Sequence, residues 1–278
     1  MRKNIIGRIF FIVLVAFILV IFLLPYVWMI GSSFKSRSEL FSFISPVTWK
    51  TFLSVHPTLE NFAALFEDGY VRNILNTFLE SFLTVIFSTF ICASMAYVFS
   101  SFEFPGRKVL YAVMVFTMMV PFEARMLPTY LVTQSIGLGN TFTGVWLPWV
   151  FDAFTVVLLT THFMSVPRDM HNAALIDGCP HYKIMYKIML PQILPALISA
   201  VMLRFFFAWD SYVWPLIILR NPDWQVLSVA IANLFTDQDI AWELVFSASL
   251  LSTVPVLVVF LFFQRYYVAG MTSGGVKE

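Results

Sequence analysis

Ile9-Phe-Phe-Ile-Val-Leu-Val-Ala-Phe-Ile-Leu-Val-Ile-Phe-Leu-Leu-Pro-Tyr-Val-Trp-Met-Ile30 runs for 22 residues without an acidic or basic side chain. A hydrocarbon layer of about 30 Å needs about 20 apolar residues in a helix, so this run is long enough to cross one. The basic residues in front of it, Arg2, Lys3 and Arg8, would also suit a secretory signal. A signal's apolar region is shorter, about 7–15 residues, and ends at a small-residue cleavage site. This run instead passes into Pro25-Tyr-Val-Trp28, an aromatic interface signature. It reads as an uncleaved first span.

The rest of the chain repeats that character. Of 278 residues, 59% are apolar and only 12% charged, and mean hydropathy is +0.82. Soluble domains carry about a quarter charged residues, so an aqueous fold is excluded. A net charge of +1 gives no electrostatic reason for a nucleic-acid partner. Hydropathy predicts an all-α polytopic membrane protein with six transmembrane helices, at about 9–31, 74–97, 109–131, 142–164, 193–219 and 244–266. Cytoplasmic loops carry the excess of Lys and Arg. With the N-terminus inside, Arg2, Lys3, Arg8, Arg107, Lys108, Arg168, Lys183, Lys187, Arg265 and Lys277 are cytoplasmic. Lys35, Arg37, Lys50, Arg72 and Arg220 then lie outside, and Arg125 and Arg204 fall within spans. Both termini are therefore expected on the cytoplasmic side. The first outer segment, 32–72, is long, and Thr58-Leu-Glu-Asn61 starts a short surface helix; the third outer loop carries Asp223, Asp237 and Asp239. With no internal repeat, one membrane domain accounts for 1–278.

Between spans four and five lies Ser165-Val-Pro-Arg-Asp-Met-His-Asn-Ala-Ala-Leu-Ile-Asp-Gly-Cys-Pro-His-Tyr-Lys-Ile-Met-Tyr-Lys-Ile-Met-Leu-Pro191. Pro167 sits where a helix starts, because its missing N–H is not needed there, and Gly178 is placed to end that helix left-handed. Met170, Ala173, Ala174 and Asp177 then share one small face with an acidic edge. After the turn, Tyr182, Met185, Tyr186 and Met189 repeat the spacing, with Lys183 and Lys187 opposite, which suits a helix lying in the interface. By geometry alone this is either a rigid knob for a cytoplasmic partner or an amphipathic loop packed on its own bundle.

Asn172-Ala-Ala-x-x-Asp177-Gly178 followed by Ile188-x-Leu190-Pro191 closely resembles the EAA loop of binding-protein-dependent ABC importer permeases. The resemblance extends along the chain. It takes in Ser33-Phe-Lys35, Phe104-Pro-Gly-Arg107, Met119-Val-Pro121, Pro128-x-Tyr130, Gly137-Leu-Gly-Asn-Thr141, Trp209-Asp-Ser-Tyr-Val-Trp-Pro215 and the tail from Gln264 to Lys277. The set is similar to the carbohydrate-uptake, maltose-permease (MalG-like) branch. That resemblance implies a multi-pass protein of the bacterial cytoplasmic (inner) membrane. Its implied partners are a second permease subunit, two ATPase subunits and an extracytoplasmic solute-binding protein. It implies that Met170, Asn172, Ala173, Ala174, Asp177, Gly178 and Pro191 couple to the ATPase, and that a tail including Thr272 and Lys277 reaches the ATPase interface. ATP and magnesium would sit on the partner, with no cofactor in this chain. Two departures stand out: Asn172 replaces the family's glutamate, with His171 before it, and Trp209-Asp210-Ser211 replaces its Trp-Asn-Asp.

Charges inside a bilayer are expensive and face a bundle interior or a wet path. Glu80, Glu123, Arg125, Asp152, Arg204 and Asp210 are such residues. They admit internal ion pairs, Arg204 with Glu123 or Asp152, or a lined pathway. Pro121 and Pro128 predict a kink or break beside Glu123 and Arg125. Trp209, Tyr212 and Trp214 suit either an interfacial belt or stacking on a sugar ring. Met118, Met119 and Met126 read as packing residues. His56, His162 and His181 are too dispersed for a metal site, and Cys92 and Cys179 lie too far apart in the predicted topology to pair. No GxxxxGK[ST] phosphate loop occurs, so this chain is not expected to be an enzyme. The alternatives are an ion-coupled secondary transporter or channel and, for substrate, a phosphorylated polyol such as glycerol phosphate bound by Arg125 or Arg204.

Overall fold

The computed structural model describes residues 2–236 and 239–272, with side chains for 7–236 and 239–266. Asp237 and Lys277 lie outside the described residues, as does the side chain of Thr272. Every regular element among the described residues is helical. Three helices are long and apolar enough to cross a membrane unaided: Gly7–Ser33 within α1 (Arg2–Ser33), α5 (Tyr70–Ser101), and Trp242–Tyr266 within α16 (Trp242–Thr272).

The other three predicted spans are not continuous. The third is α6 (Arg107–Met118) and α7 (Phe122–Ser135), bent by 108°. Pro121 has no N–H to continue α6 and biases Val120 away from helix, while Pro128 is accommodated inside α7. The fourth, Phe142–Trp149 with α9 (Ala153–Ser165), bends by 41° where Asp152 starts a new helix. Before the fifth, His181–Gln192 meets α13 (Leu194–Trp209) at 90°. The expected continuous helix over 193–219 is corrected here: α13 stops at Trp209 and α14 (Val213–Ile218) restarts beyond it. Pro215 falls in the first turn of α14, where its missing N–H is tolerated.

The chain divides into two compact units. One comprises 1–72 with 230–255, the other 73–229 with 256–278. In the first, α1 has no buried side chain from Gly7 to Trp28, so its apolar surface is left to lipid or another chain. Order begins where it ends. A Cβ on Gly31 would lie 1.7 Å from the Phe52 carbonyl oxygen of α3 (Trp49–Phe52), so only glycine permits that approach. The Ser33 carbonyl accepts from Asn61 Nδ2 at 3.0 Å and Ser247 Oγ at 2.8 Å. Lys35, 1% exposed, donates to the carbonyls of Lys50 and Thr51 at 2.9 and 2.8 Å. Glu39, on α2 (Arg37–Ser42), accepts from the Val55 N–H and the Ser54 hydroxyl. Asn61 lies on α4 (Glu60–Glu67), the expected surface helix. The Ser33-Phe-Lys35 motif thus knits the segment after α1 together.

In the second unit, Cys92, Ala93, Ala96 and Tyr97 of α5 pack on Val156, Leu159 and Phe163 of α9. Small residues let membrane helices approach closely. Cys92 and Cys179 are free thiols. Asn140 explains another motif, its side-chain oxygen holding the N–H groups of Arg220 and Asn221 at 2.7 and 3.0 Å.

Candidate functional site

Pro167 precedes α10 (Arg168–Ile176), as expected. The helix closes in a Schellman motif: Gly178 N–H donates to Leu175 and Cys179 N–H to Ala174, each at 3.0 Å. Gly178 has φ +74, which an L-residue adopts only under strain. The chain then turns into α11 (His181–Lys183), a π-helical stretch (Ile184–Met189) and α12 (Leu190–Gln192), where Pro191 sits one residue before the bend region.

The expected faces are redistributed. Ala174 turns inward at 6% exposure, whereas Met170, Asn172, Ala173 and Asp177 are exposed. Ile176, unremarked in the sequence, is 86% exposed, beside Leu175 at 39%. Its spacing of three from Ala173 puts both on one surface, and that was the available signal. On the second segment Ile184, Met185 and Met189 are buried, while Tyr182 and Tyr186 are exposed, at 62% and 43%. A regular α-helix would have buried Tyr182 and Tyr186 with Met185 and Met189. The π turn moves the buried positions to 184, 185 and 189, because its i→i+5 bonds accommodate more residues per turn. Lys183 and Lys187 remain exposed.

Tyr97 joins this segment to α5. Its hydroxyl lies 3.0 Å from His171 Nε2 and 3.2 Å from His181 Nδ1, and the imidazole centroids are 6.0 Å apart. Beside His171 opens a cavity of about 450 Å³ that Glu103, Arg107, Arg168 and Asn172 help to line. His181, read as too far from the other histidines for a metal site, thus meets His171 on one phenol.

The intramembrane charges separate into two groups. Asp152 accepts from the Thr155 N–H at 2.8 Å and the Thr155 hydroxyl at 2.6 Å, capping α9. It also stands 3.7 Å from Arg204, which donates to the Trp149 carbonyl and lies 4.8 Å from the Phe207 ring centroid. Of the expected pairs, Asp152–Arg204 is present, and Glu123 takes no part in it. Glu123 and Arg125 are exposed on α7. Glu80 is buried at 2% exposure with Oε2 unpartnered.

Asp210 and Tyr212, in the gap between α13 and α14, line a cavity of about 290 Å³ with Phe122, Trp149, Phe207 and Trp214. Irregular backbone at membrane depth is tolerated only where protein or a wet cavity covers it. Trp209 is not among the lining residues; it packs on Phe78 and Phe205, with centroids 4.7 and 5.6 Å away. Trp214 donates its N–H to the carbonyls of Gly144 and Val145, which makes it a structural strut. Of the methionines, Met126 packs against the Trp214 cluster, whereas Met118 and Met119 are 40% and 74% exposed, contrary to the packing expected of them.

Comparison with known proteins agrees with the resemblance read from the motifs. Residues 88–273 match the model of the family described as "binding-protein-dependent transport system inner membrane component". The diacetylchitobiose uptake system permease protein NgcG of Streptomyces coelicolor is 34% identical over 92% of this chain and 84% of its own. The arabinooligosaccharides transport system permease protein AraQ of Halalkalibacterium halodurans is 35% identical over 63% of this chain. That match spans 63% of the relative's length. A chain from the crystal structure of a bacterial ABC transporter involved in the import of the acidic polysaccharide alginate superposes with a TM-score of 0.86. It shares 23% identity and covers 96% of this chain and 98% of its own, so the fold is common to both. The chain belongs to the family of binding-protein-dependent transport system inner membrane components.

Proposed function

We propose that this chain is one permease subunit of an ATP-driven importer of the bacterial inner membrane, moving a sugar or sugar derivative released by an extracytoplasmic solute-binding protein. Each bent helix pair counts as one span, giving six, with both termini and the 165–191 segment in the cytoplasm. The partners are a second permease, two ATPase subunits that carry ATP and magnesium, and the binding protein. The ATPase-interface role that the resemblance implies for Thr272 and Lys277 is part of the same proposal. The sugar assignment draws on what NgcG and AraQ are named for.

One observation carries the coupling role. Ile176 at 86% exposure, with Met170 and Ala173 also exposed, projects from a helix held by a Schellman turn and a buried Ala174. An apolar tip on a rigid mount suits a cleft of another protein, since a few anchors seated in desolvated pockets carry most of an interface's binding energy. The aromatic cavity with Asp210 and Tyr212 is the proposed stretch of the pathway, where a pyranose face could stack and its hydroxyls reach the carboxylate. Nothing favours the phosphorylated polyol: Arg204 is committed to Asp152 and Trp149.

The test is a mild-detergent pull-down of this chain from native membranes, with copurifying proteins identified by mass. Recovery of a second permease and a P-loop ATPase supports the importer. Recovery of the chain alone, still active in uptake after reconstitution, would favour a secondary transporter and remove the coupling account.

A further inference from the structure

The structure assigns Tyr97 as a positioning residue that clasps the docking segment to α5, through a bridge that charge repulsion weakens when both His171 and His181 are protonated. The assignment rests on the docking role of α10 proposed above. It starts from geometry. One phenol, 3% exposed, faces two imidazole nitrogens, at 3.0 and 3.2 Å. His171 rides on α10 and His181 opens the segment after the turn, so a single hydroxyl ties both arms to one point on α5. Ring packing reinforces the site: Tyr97 sits 6.0 Å from Phe163, and His181 sits 4.6 Å from Phe102.

Hydrogen-bond arithmetic then limits the protonation states. A phenol offers one proton, and a neutral imidazole has one donor and one acceptor nitrogen. With both rings neutral, Tyr97 donates to one and accepts from the other. With one ring protonated, that ring donates and Tyr97 still gives its proton to the neutral partner. With both protonated, Tyr97 can only accept from the two rings and passes its own proton to Ser101, and two cations face each other with centroids 6.0 Å apart. The surroundings do not compensate. Glu103 is the one carboxylate lining the cavity beside His171, against Arg107 and Arg168. On the segment itself Asp169 and Asp177 stand with Lys183, and α5 adds only the hydroxyls of Ser100 and Ser101. The cavity of about 450 Å³ gives water a way to His171. Charging both rings would therefore loosen the docking helix.

The test is hydrogen–deuterium exchange of 168–189 in the full chain in lipid nanodiscs, corrected for intrinsic rates, at about pH 7.5 and about pH 5.5. We expect exchange of this stretch to rise about tenfold at the lower pH, with α9 unchanged. Tyr97→Phe should exchange fast at both pH values. His181→Gln, which keeps a hydrogen-bonding group but takes no proton, should stay protected at both, a gain that a folding defect cannot mimic. Equal wild-type exchange at the two pH values, or a Tyr97→Phe variant protected like wild type, overturns the clasp. Retention of the ATPase by Ile176→Asp is read in parallel. If that variant keeps its ATPase, the docking reading fails even where the exchange result stands. If it loses the ATPase while wild-type exchange ignores pH, the clasp alone fails.

Discussion

The turn after α1 and the helix α10 reverse the usual relation between polarity and burial in opposite directions. At the turn a lysine, a glutamate and an asparagine are buried, each with partners; Lys35 meets two carbonyls and Glu39 a backbone N–H. On α10 an isoleucine stands almost fully in the open. A buried polar group that is satisfied explains itself within the chain. An exposed apolar group on a rigid mount does not, and it directs attention to another molecule. The contrast separates a motif that is architecture from one proposed as interface, although both came from the same family resemblance.

Four outcomes would break or sharpen that contrast. The largest effect is expected from Ile176→Asp, which should cut ATPase retention about 100-fold or more without lowering the chain's own melting temperature, because a charge would enter an apolar cleft. Wild-type copurification would end the interface reading. Next, Lys35→Ala should leave two buried carbonyls unpaired and destabilise the first unit by about 2–4 kcal/mol, measured by thermal or denaturant unfolding in detergent. Here the loss belongs to the fold and ATPase binding to the surviving protein should be normal. Gly178→Val meets no neighbour within 4 Å, so its cost is the positive φ alone, about 1–2 kcal/mol. Normal expression with ATP hydrolysis no longer matched by uptake is expected, and normal uptake would sink the coupling assignment. The smallest concerns Asp177, an exposed carboxylate at a helix C-terminus, where the macrodipole disfavours it. Asp177→Ala should leave stability level or raise it by about 0.5 kcal/mol, yet weaken ATPase copurification more than Asn172→Ala does. Equal copurification would count against it.

Lys35 adds a pH signature to the same side of the comparison. Burial lowers its pKa from the ordinary 10.5, with Glu39 opposing. The unfolded chain therefore holds more protons in the window just below 10.5, and stability gains from this residue as pH rises through it.

What could be read in advance follows from which interactions are local. Hydropathy reports transfer into lipid residue by residue, so all six apolar blocks were visible, and Pro121 marked one break. The restart at Val213 was not, because the aromatic run 205–209 is as apolar as a span and only Pro215 hints at the interruption. The short helix 168–176 was legible through Pro167 and Gly178, two residues whose backbone preferences need no tertiary context. The π turn was not, since its register is set by packing of Ile184, Met185 and Met189 against α5 and α9. Nor was the Tyr97 bridge, whose members are 74 and 84 positions apart in sequence.

The π turn has a consequence for how such a subunit can change over generations. It fits an extra residue into a helical segment without lengthening the loop. Deleting one residue there would restore α geometry and leave the helices on either side in register, because the turn already absorbs the extra residue. A single-codon deletion is thus taken up locally, without turning α13 against α10, and this stretch is free to drift in length where its neighbours are not.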